Sequence, residues 1–600
     1  MKAAAAQVAL SAGRLGLTWH ETATADTLRA RVKVADGTVH YADAWRHRGE
    51  MFSARCGPLD VHLAVRNREA TVRMALSARA RTDALVTEVG VELMPQIRGS
   101  APSWVVYNGY QSWDASGIAP ASSKRQSWWT VGLADQAGAG LAASALTARR
   151  HTVRFDVEAG RLVVTACEFP GLQQNPPMWN AHRGEAWQAD EFVLTAESDV
   201  RAALRHAAGR VAGRRNSGVP RGWLSWYHYG PWISAAEVLE NSAQLSHGDL
   251  RSLGYEVVLV DDGWQQAIGD WVANSKFPGG LSGLNQELSA RGQLLGLWTA
   301  PFLVSASADL AHQAPADWFL KDPISGERAV DPIHVVFGPM YILDLRRPAV
   351  RRHLTETFAR LHADGVQFFK IDFLYAGAYA GTAALRAGLQ AIRRGIGDAY
   401  LLASGAPLLP MVGLCEACRI GRDTASPIFD FELGSPKPTL IGDEVLEVGR
   451  NQAARHFLDS WFQLDPDVAL VGGNLTPEQG RTVVTVAALS GGPFFASDHL
   501  AALDPDRLAM LVNPRVLDLV GGRPAVPDWQ PDERDRPSSV WRRDGVLAVF
   551  NWSWQEQEVT VPVQGPRQAR DLWTGRDLGP LDGELRLQVP AAGARLVALD

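Results

Sequence analysis

At 600 residues the chain is too long for one compact core, and domains of about 100 to 250 residues divide it into two to four. A hydrophobic fraction of 46% against 21% charged excludes a disordered or fibrous chain. A net charge of −6 with no basic block excludes nucleic acid or an anionic membrane surface as the main partner, so a neutral ligand fits better.

Four cysteines, Cys56, Cys167, Cys415 and Cys418, are too few for a disulfide framework and point to a reducing compartment. Cys415 and Cys418 form a lone C-x-x-C with no second pair and no histidines at ligand spacing, so buried thiols are expected and neither a metal nor a cofactor is called for. The opening residues MKAAAAQVALSAGRLGLTWHE read poorly as a signal peptide, because Ser, Gly and Arg break their apolar stretch; cytoplasmic localisation is the expectation. No run of about 18 apolar residues is present to span a membrane. The 21 tryptophans are the unusual number, since an indole offers a flat apolar face for a sugar ring and a donor for its hydroxyls.

Over residues 1–200 short alternating segments such as RARVKV, DVHLAV, TVRMALSA, HTVRFDV and RLVVTA, separated by turn residues, predict an all-β domain. An Arg- and Ala-rich stretch follows and predicts a helical linker over 201–219. Over 220–527 apolar strands alternate with helical stretches: WLSWY near 223, EVVLV near 256, LLGLW near 294, QFFKI near 367, YLLAS near 400, CRIG near 418, a weaker WFQL near 461 and PFFAS near 493. Eight such strands predict a (β/α)8 TIM barrel, so the chain reads as multidomain α/β plus all-β. Residues 528–600 return to strands and turns and predict a C-terminal β-sandwich.

A parallel barrel carries its chemistry at the C-terminal ends of its strands, and there the sequence places acids and tryptophans. The first strand runs into Trp226, Tyr227 and His228, the second into Asp261, Asp262 and Trp264, and the third ends in Trp298. FFKIDF puts Lys370 and Asp372 on one side of the fourth strand, the sixth gives Arg419 and then Asp423, and the eighth ends in Ser497 and Asp498. Taken singly, Asp262 or Asp498 has a plain role as a helix cap, and Lys370 as an ion-pair partner. Together they make a polar pocket walled by aromatics, suited to a polyhydroxylated ring. Two carboxylates in such a pocket support glycosidic cleavage, with Asp372 as nucleophile beside the charge of Lys370 and Asp423 as general acid with a raised pKa. Because an Arg beside Asp423 opposes that rise, Arg419 is expected to face substrate hydroxyls or Asp372 instead. The first strand lacks H-x-H and no Gly-rich loop precedes a short helix, which argues against metal-dependent and phosphate-binding barrel enzymes.

GWLSWYHYG (222–230), VDDGWQQAIGDW (260–271), KFPGGL (276–281), GLWTAPF (296–302), FFKIDF (368–373) and FQLDPDVAL (462–470) resemble glycoside hydrolase family 36, in the clan that also holds the family 27 α-galactosidases; NGYQSW (108–113) resembles the N-terminal domain of a bacterial subgroup. The resemblance implies an N-terminal β-supersandwich before the barrel and a β-sandwich after it. It implies a retaining, exo-acting α-galactosidase taking a small-molecule α-galactoside, and a homodimer or homotetramer. In this sequence's numbers, Asp372 would be the nucleophile, Lys370 would bind ring hydroxyls, Asp261 and Asp262 would grip the O4 and O6 side of galactose, and Trp298 would be part of the wall; Trp226 and Trp264, from their place at the ends of the first and second strands, are expected to be further substrate contacts. Arg419 and Asp423 resemble an R-x-x-x-D form in which the Arg contacts the 2-hydroxyl or the nucleophile and the Asp is the acid/base. CEACRIGRDTASP departs from the common C-x-x-G-G-G-R, which leaves Cys415 as a substrate contact open, and WFQLDPD carries Leu464 where Asn is usual. Trp113 would have to come from the N-terminal domain or a neighbouring subunit, or be a plain core residue. An α-N-acetylgalactosaminidase, an α-galactosyl transglycosidase and a catalytically silent sugar-binding protein are the other readings.

Overall fold

The computed structural model describes residues 6–11, 14–19, 21–68, 70–169, 171–172, 178–333, 338–424, 426–430, 435–439, 442–532 and 534–600. In the first third of the chain, strands with a period-two pattern pair into two antiparallel sheets, built around Ala23–Val34 beside Ala84–Ile97 in one and Leu59–Arg68 beside Thr71–Ala80 in the other. Leu28, Ala30 and Val32 of the first sheet and Val61, Leu63 and Leu76 of the second are fully or almost fully buried, as alternation requires when one face of each strand meets a core.

Asp199 caps the helix Val200–Ala208 by accepting from the Arg201 N–H, and the helix packs on the strands Gly140–Ala145 and Phe192–Glu197. The linker expected to be helical over 201–219 is helical only to Ala208. Gly209 closes the helix, Gly213 takes a positive φ of 111°, and residues 211–220 have no regular structure.

Strands Arg221–Leu224, Tyr255–Val260, Leu294–Thr299, Val366–Ile371, Tyr400–Ala403, Ala417–Arg419 and Gln463–Asp465 then pair in chain order, every pair parallel. Phe494–Ala496 pairs with both Arg221–Leu224 and Val468–Ala469. The two edges of this sheet, Gln463–Asp465 and Val468–Ala469, are separated by only Pro466 and Asp467, so the sheet curls round on itself. The weak seventh strand expected near 461 is thus two short pieces. Pro466 has no N–H for the ladder and Asp467 sits at φ 91°, which breaks the strand where it crosses between neighbours. Helices fill the connections; two of them, Ala235–Leu245 and Pro477–Leu489, begin with capping boxes, Ser234 with Glu237 and Thr476 with Gln479.

Alternation fills the inside of the curled sheet with Leu224, Val257, Leu259, Phe368, Leu402, Ala417, Val468 and Phe495, one buried cluster. C-terminal to it, Val540–Arg543, Val546–Phe550, Arg567–Asp571 and Ala594–Leu599 form the centre of a six-stranded antiparallel sheet over a core of Leu547, Val549, Val561, Leu585 and Val597. One of its two edge strands is Val526–Pro527, so this sheet begins two residues before the expected boundary at 528. Among the described residues no helix is long and apolar enough to cross a membrane.

Gly222 marks a close approach between neighbouring strands of the curled sheet. A Cβ there would lie 2.1 Å from the Val257 carbonyl oxygen and 2.8 Å from the Phe495 ring. The backbone oxygen belongs to a parallel ladder and cannot move independently, so Gly222→Ala is expected to cost about 1–3 kcal/mol. Urea unfolding followed by tryptophan fluorescence checks this; an unchanged midpoint would contradict the close approach.

Candidate active site

The face that is apolar inside the curled sheet becomes charged one step further along each strand. Asp261 follows Val257 and Leu259 at the same period, Lys370 and Asp372 follow Phe368, Arg419 follows Ala417, and Ser497 follows Phe495. The apolar plug below excludes water from one side of these groups. Lys370, Asp261 and Arg419 are 5% exposed or less, so each charge has to be met by another protein group.

The Lys370 Nζ donates to Asp261 Oδ2 at 2.7 Å. Burial alone would lower the Lys370 ammonium, but the carboxylates of Asp261 and, next, Asp372 outweigh it and hold the group above its ordinary range. Burial raises Asp261 despite the pull of Lys370. The backbone N–H of Asp261 donates to Ser225 Oγ at 2.9 Å, and its Oδ1 accepts from the Asp262 N–H at 2.9 Å. Asp262 is half-buried, accepts from the Gln265 amide, and is pushed up to about 6 by burial.

Asp372 ends its strand with its N–H on the Thr299 carbonyl at 2.8 Å. Its Oδ1 accepts from the Phe373 N–H at 2.8 Å, made possible by a left-handed Phe373 at φ 54°, and its Oδ2 accepts from the Trp298 indole at 3.2 Å. The carboxylate is therefore oriented from two sides.

Arg419 lies where the strand sequence places it, but its partners differ from the expectation. Its Nη2 donates to Asp423 Oδ1 at 2.8 Å and lies 2.8 Å from Asp467 Oδ2. A guanidinium that is 1% exposed needs anionic neighbours, and Asp467 supplies one from the break between the two half-strands. Asp467 also accepts from the Tyr227 hydroxyl and, at 2.7 Å, from the Thr424 N–H. Asp465, beside it, is pushed up to about 7 by burial. Asp423 is the accessible member of this group, its side chain 49% exposed. Strand-end alternation points to neither Asp465 nor Asp467; their signal in the sequence is the D-P-D run inside a proline-broken strand.

Trp226 opens the short helix Trp226–Tyr229 directly after the first strand and packs, half-buried, on the apolar plug. Trp264 is fully buried, with its indole N–H spent on the Trp298 carbonyl at 2.9 Å. It props the wall from behind instead of presenting a face to a ligand, because Gly263 at φ 114° turns the chain under. Cys415 is also displaced from its expected place. It precedes the Ala417–Arg419 strand and so sits at the end of the sheet away from Asp423, buried, its thiol directed to the Met411 carbonyl. Burial pushes its pKa up, and all four cysteines are buried free thiols.

Trp113 arrives from the N-terminal third of the same chain. Its loop bonds to the segment after Tyr400–Ala403 through Ser112 N–H to the Ala406 carbonyl, 2.9 Å, and Ala406 N–H to Ser112 Oγ, 3.1 Å. The indole stands edge-on to Phe373 at 5.7 Å between ring centres and 6.0 Å from Tyr375. Among the described residues no group of three or more His, Cys, Asp and Glu side chains is placed to hold a metal ion.

Residues 240–381, which contain Asp261, Trp298, Lys370 and Asp372, match the Melibiase family. The chain is a glycoside hydrolase. This hydrolase is 24% identical over 425 residues to the probable α-galactosidase B of Neosartorya fischeri, covering 60% of the chain and 87% of that protein. It is 25% identical to an α-galactosidase from Thermus thermophilus solved with stachyose, at a TM-score of 0.60 over 77% of this chain and 99% of that one. The family 36 α-galactosidase AgaA of Geobacillus stearothermophilus shares its fold at a TM-score of 0.64 over 95% of this chain and 89% of that one, with 14% identity.

Lys370→Met leaves Asp261 buried without its counter-charge and is expected to cost about 3–5 kcal/mol. Lys370→Met with Asp261→Asn should recover a large part of that loss in the same unfolding assay. Equal losses in the single and double variants would show that the pair is not what stabilises this edge.

Proposed function

We propose that the chain is a retaining, exo-acting α-galactosidase of family 36, built on a (β/α)8 barrel over 220–527 between an N-terminal β-supersandwich and a C-terminal β-sandwich. The observation that carries this reading is the placing of two unlike carboxylates at one edge of the sheet. Asp372 is sequestered and oriented by Trp298 and Phe373, whereas Asp423 is half exposed on Arg419.

In the first step Asp372 attacks the anomeric carbon while Asp423 gives its proton to the departing glycosidic oxygen. In the second, Asp423 takes a proton from water, which attacks the same carbon and breaks the bond to Asp372, restoring the α configuration. Trp298 keeps the attacking oxygen in place, and the ammonium of Lys370 and the carboxylates of Asp261 and Asp262 meet the ring hydroxyls. Galactose differs from glucose in its axial O4, and an acceptor pair at that side is a physical basis for preferring it; the names of the relatives support the same sugar. The buried free thiols support a reducing, cytoplasmic setting.

p-Nitrophenyl α-galactoside, α-N-acetylgalactosaminide and α-glucoside separate the sugars. Cleavage confined to the galactoside, lost in Asp372→Asn and lowered about 10²–10⁴-fold in Asp423→Asn, is expected. Proton NMR of the first product should show the α anomer; the β anomer would rule out a covalent intermediate on Asp372.

Asp262 adds a pH dependence. With its carboxyl at about 6, protonation as pH falls through that value removes an acceptor for a sugar hydroxyl, so KM should rise below about pH 6. Asp262→Asn should raise KM at neutral pH and flatten that limb, and an unaltered profile in the variant would contradict the assignment.

A further inference from the structure

Arg455 is the last residue of the helix Gly442–Arg455 and is fully buried, yet among the described residues no carboxylate accepts any of its hydrogen bonds. Its guanidinium makes six contacts, all to neutral oxygens. The Nε donates to Asn108 Oδ1 at 2.9 Å and Ser116 Oγ at 2.8 Å, Nη1 to the carbonyls of Ser112 at 2.6 Å and Ile420 at 2.7 Å, and Nη2 to those of Gln111 at 3.1 Å and Asp114 at 2.9 Å. Five of the six belong to the loop that carries Trp113. The sixth, Ile420, lies three residues before Asp423.

Burying a guanidinium whose hydrogen bonds reach no carboxylate is costly: burial lowers its pKa to about 10, and the charge of the nearby Asp114 carboxylate offsets only part of this, so its geometry has to be fully used. Here the planar fork closes two segments onto each other that are more than 300 residues apart in sequence. The Asp423 segment is held from two sides. Arg419 Nη2 donates to the Arg422 carbonyl at 2.9 Å and to Asp423 at 2.8 Å, Ile420 N–H donates to the Asp465 carbonyl at 2.9 Å, and Thr424 N–H donates to Asp467 at 2.7 Å. On the side facing the N-terminal third, Ile420 O is fixed by Arg455 and Arg422 Nε donates to the Trp113 carbonyl at 3.3 Å, so those two supports come from Arg455 or from the loop it holds.

We propose that Arg455 is a positioning residue for the proton-donating carboxylate: it clamps the Gln111–Ser116 loop to the Ile420–Asp423 segment, so the N-terminal third of the chain sets where Asp423 stands. This rests on Asp423 being the acid/base. A structural pin alone would slow every substrate alike. A positioning residue slows most those substrates whose leaving group needs a proton, because a misplaced acid no longer serves a sugar alkoxide, whereas p-nitrophenolate departs largely unaided.

The test compares kcat/KM for melibiose and for p-nitrophenyl α-galactoside in the full-length wild type and Arg455→Lys, which keeps the charge but loses the fork. The proposal predicts a fall on the order of 10²-fold for melibiose and a much smaller one for the aryl galactoside, with azide accelerating the variant on the aryl substrate. Equal falls on both substrates, or none on either, would overturn it. Should Arg455→Lys fail to fold, Arg422→Ala, at an exposed position, tests the same support and should show the same asymmetry at smaller size; a symmetric effect there overturns the proposal. Failure of wild type to cleave the α-galactoside would refute the sugar assignment instead, and the same pair of leaving groups is then measured on whichever α-glycoside it does cleave.

Discussion

Charge buried at the C-terminal edge of a water-excluding sheet is the constraint on which the rest of this molecule depends. Inside the sheet Leu259, Phe368, Leu402, Ala417 and Phe495 leave no room for solvent, so Lys370 and Asp261 have only each other and the neighbouring acids. Breaking such a pair is far costlier than never having built it, which makes the pair a poor source of stability and a good source of rigidity. The ammonium of Lys370 is fixed by Asp261 and adds a positive charge beside Asp372, whose two oxygens are already taken up by the Trp298 and Phe373 N–H groups. In the proposed reaction, where Asp372 is the nucleophile, that fixed orientation matters because small displacements of an attacking oxygen are expensive in rate.

On the other side, Arg419 shares its charge between the buried Asp467 and the half-exposed Asp423. Asp467 reaches this position because the sheet closes through a broken strand. The irregularity that interrupts the ladder at Pro466 is therefore what brings a third carboxylate and the Tyr227 hydroxyl into the group. The segment that bears Asp423 has little regular structure of its own and draws its support from Arg419, Asp465 and Asp467 on one side and from Arg455 and the Trp113 loop on the other. Fold and chemistry thus meet at two arginines of different character, one bonded to acids and one whose hydrogen bonds all reach neutral oxygens.

The strand pattern and the residues at strand ends were legible because alternation has only one frequency: once Phe368 points inward, Lys370 and Asp372 must follow it. The same rule located Asp261, Trp298 and Arg419. It failed where the chain leaves the ladder. Trp264 follows the Asp261 strand closely enough to suggest a wall residue, but the positive φ of Gly263 turns it under, and its indole N–H supports Trp298 from behind. Cys415 was drawn to the site by a motif, while the strand begins only at Ala417. Arg419 bonds Asp423 against the expectation from charge alone, because its guanidinium also meets the buried Asp467, whose place depends on strand closure. Arg455 was invisible, since its partners at 108–116 are remote in sequence and are mostly backbone oxygens, which carry no side-chain signature. The helical linker ended at Ala208 because glycines at 209, 213 and 218 outweigh the Arg- and Ala-rich propensity.

The most direct measurement is to trap the covalent intermediate. A 2-deoxy-2-fluoro-α-galactosyl fluoride slows both steps by destabilising the oxocarbenium-like transition state, while its fluoride leaving group keeps the first step faster than the second, so a glycosyl-enzyme should accumulate and be located by peptide mass spectrometry. The account predicts time-dependent inactivation with a single label on Asp372, released on addition of an acceptor sugar. A label on Asp423 or any other residue, or turnover of natural substrate to a first-formed β anomer, would contradict it.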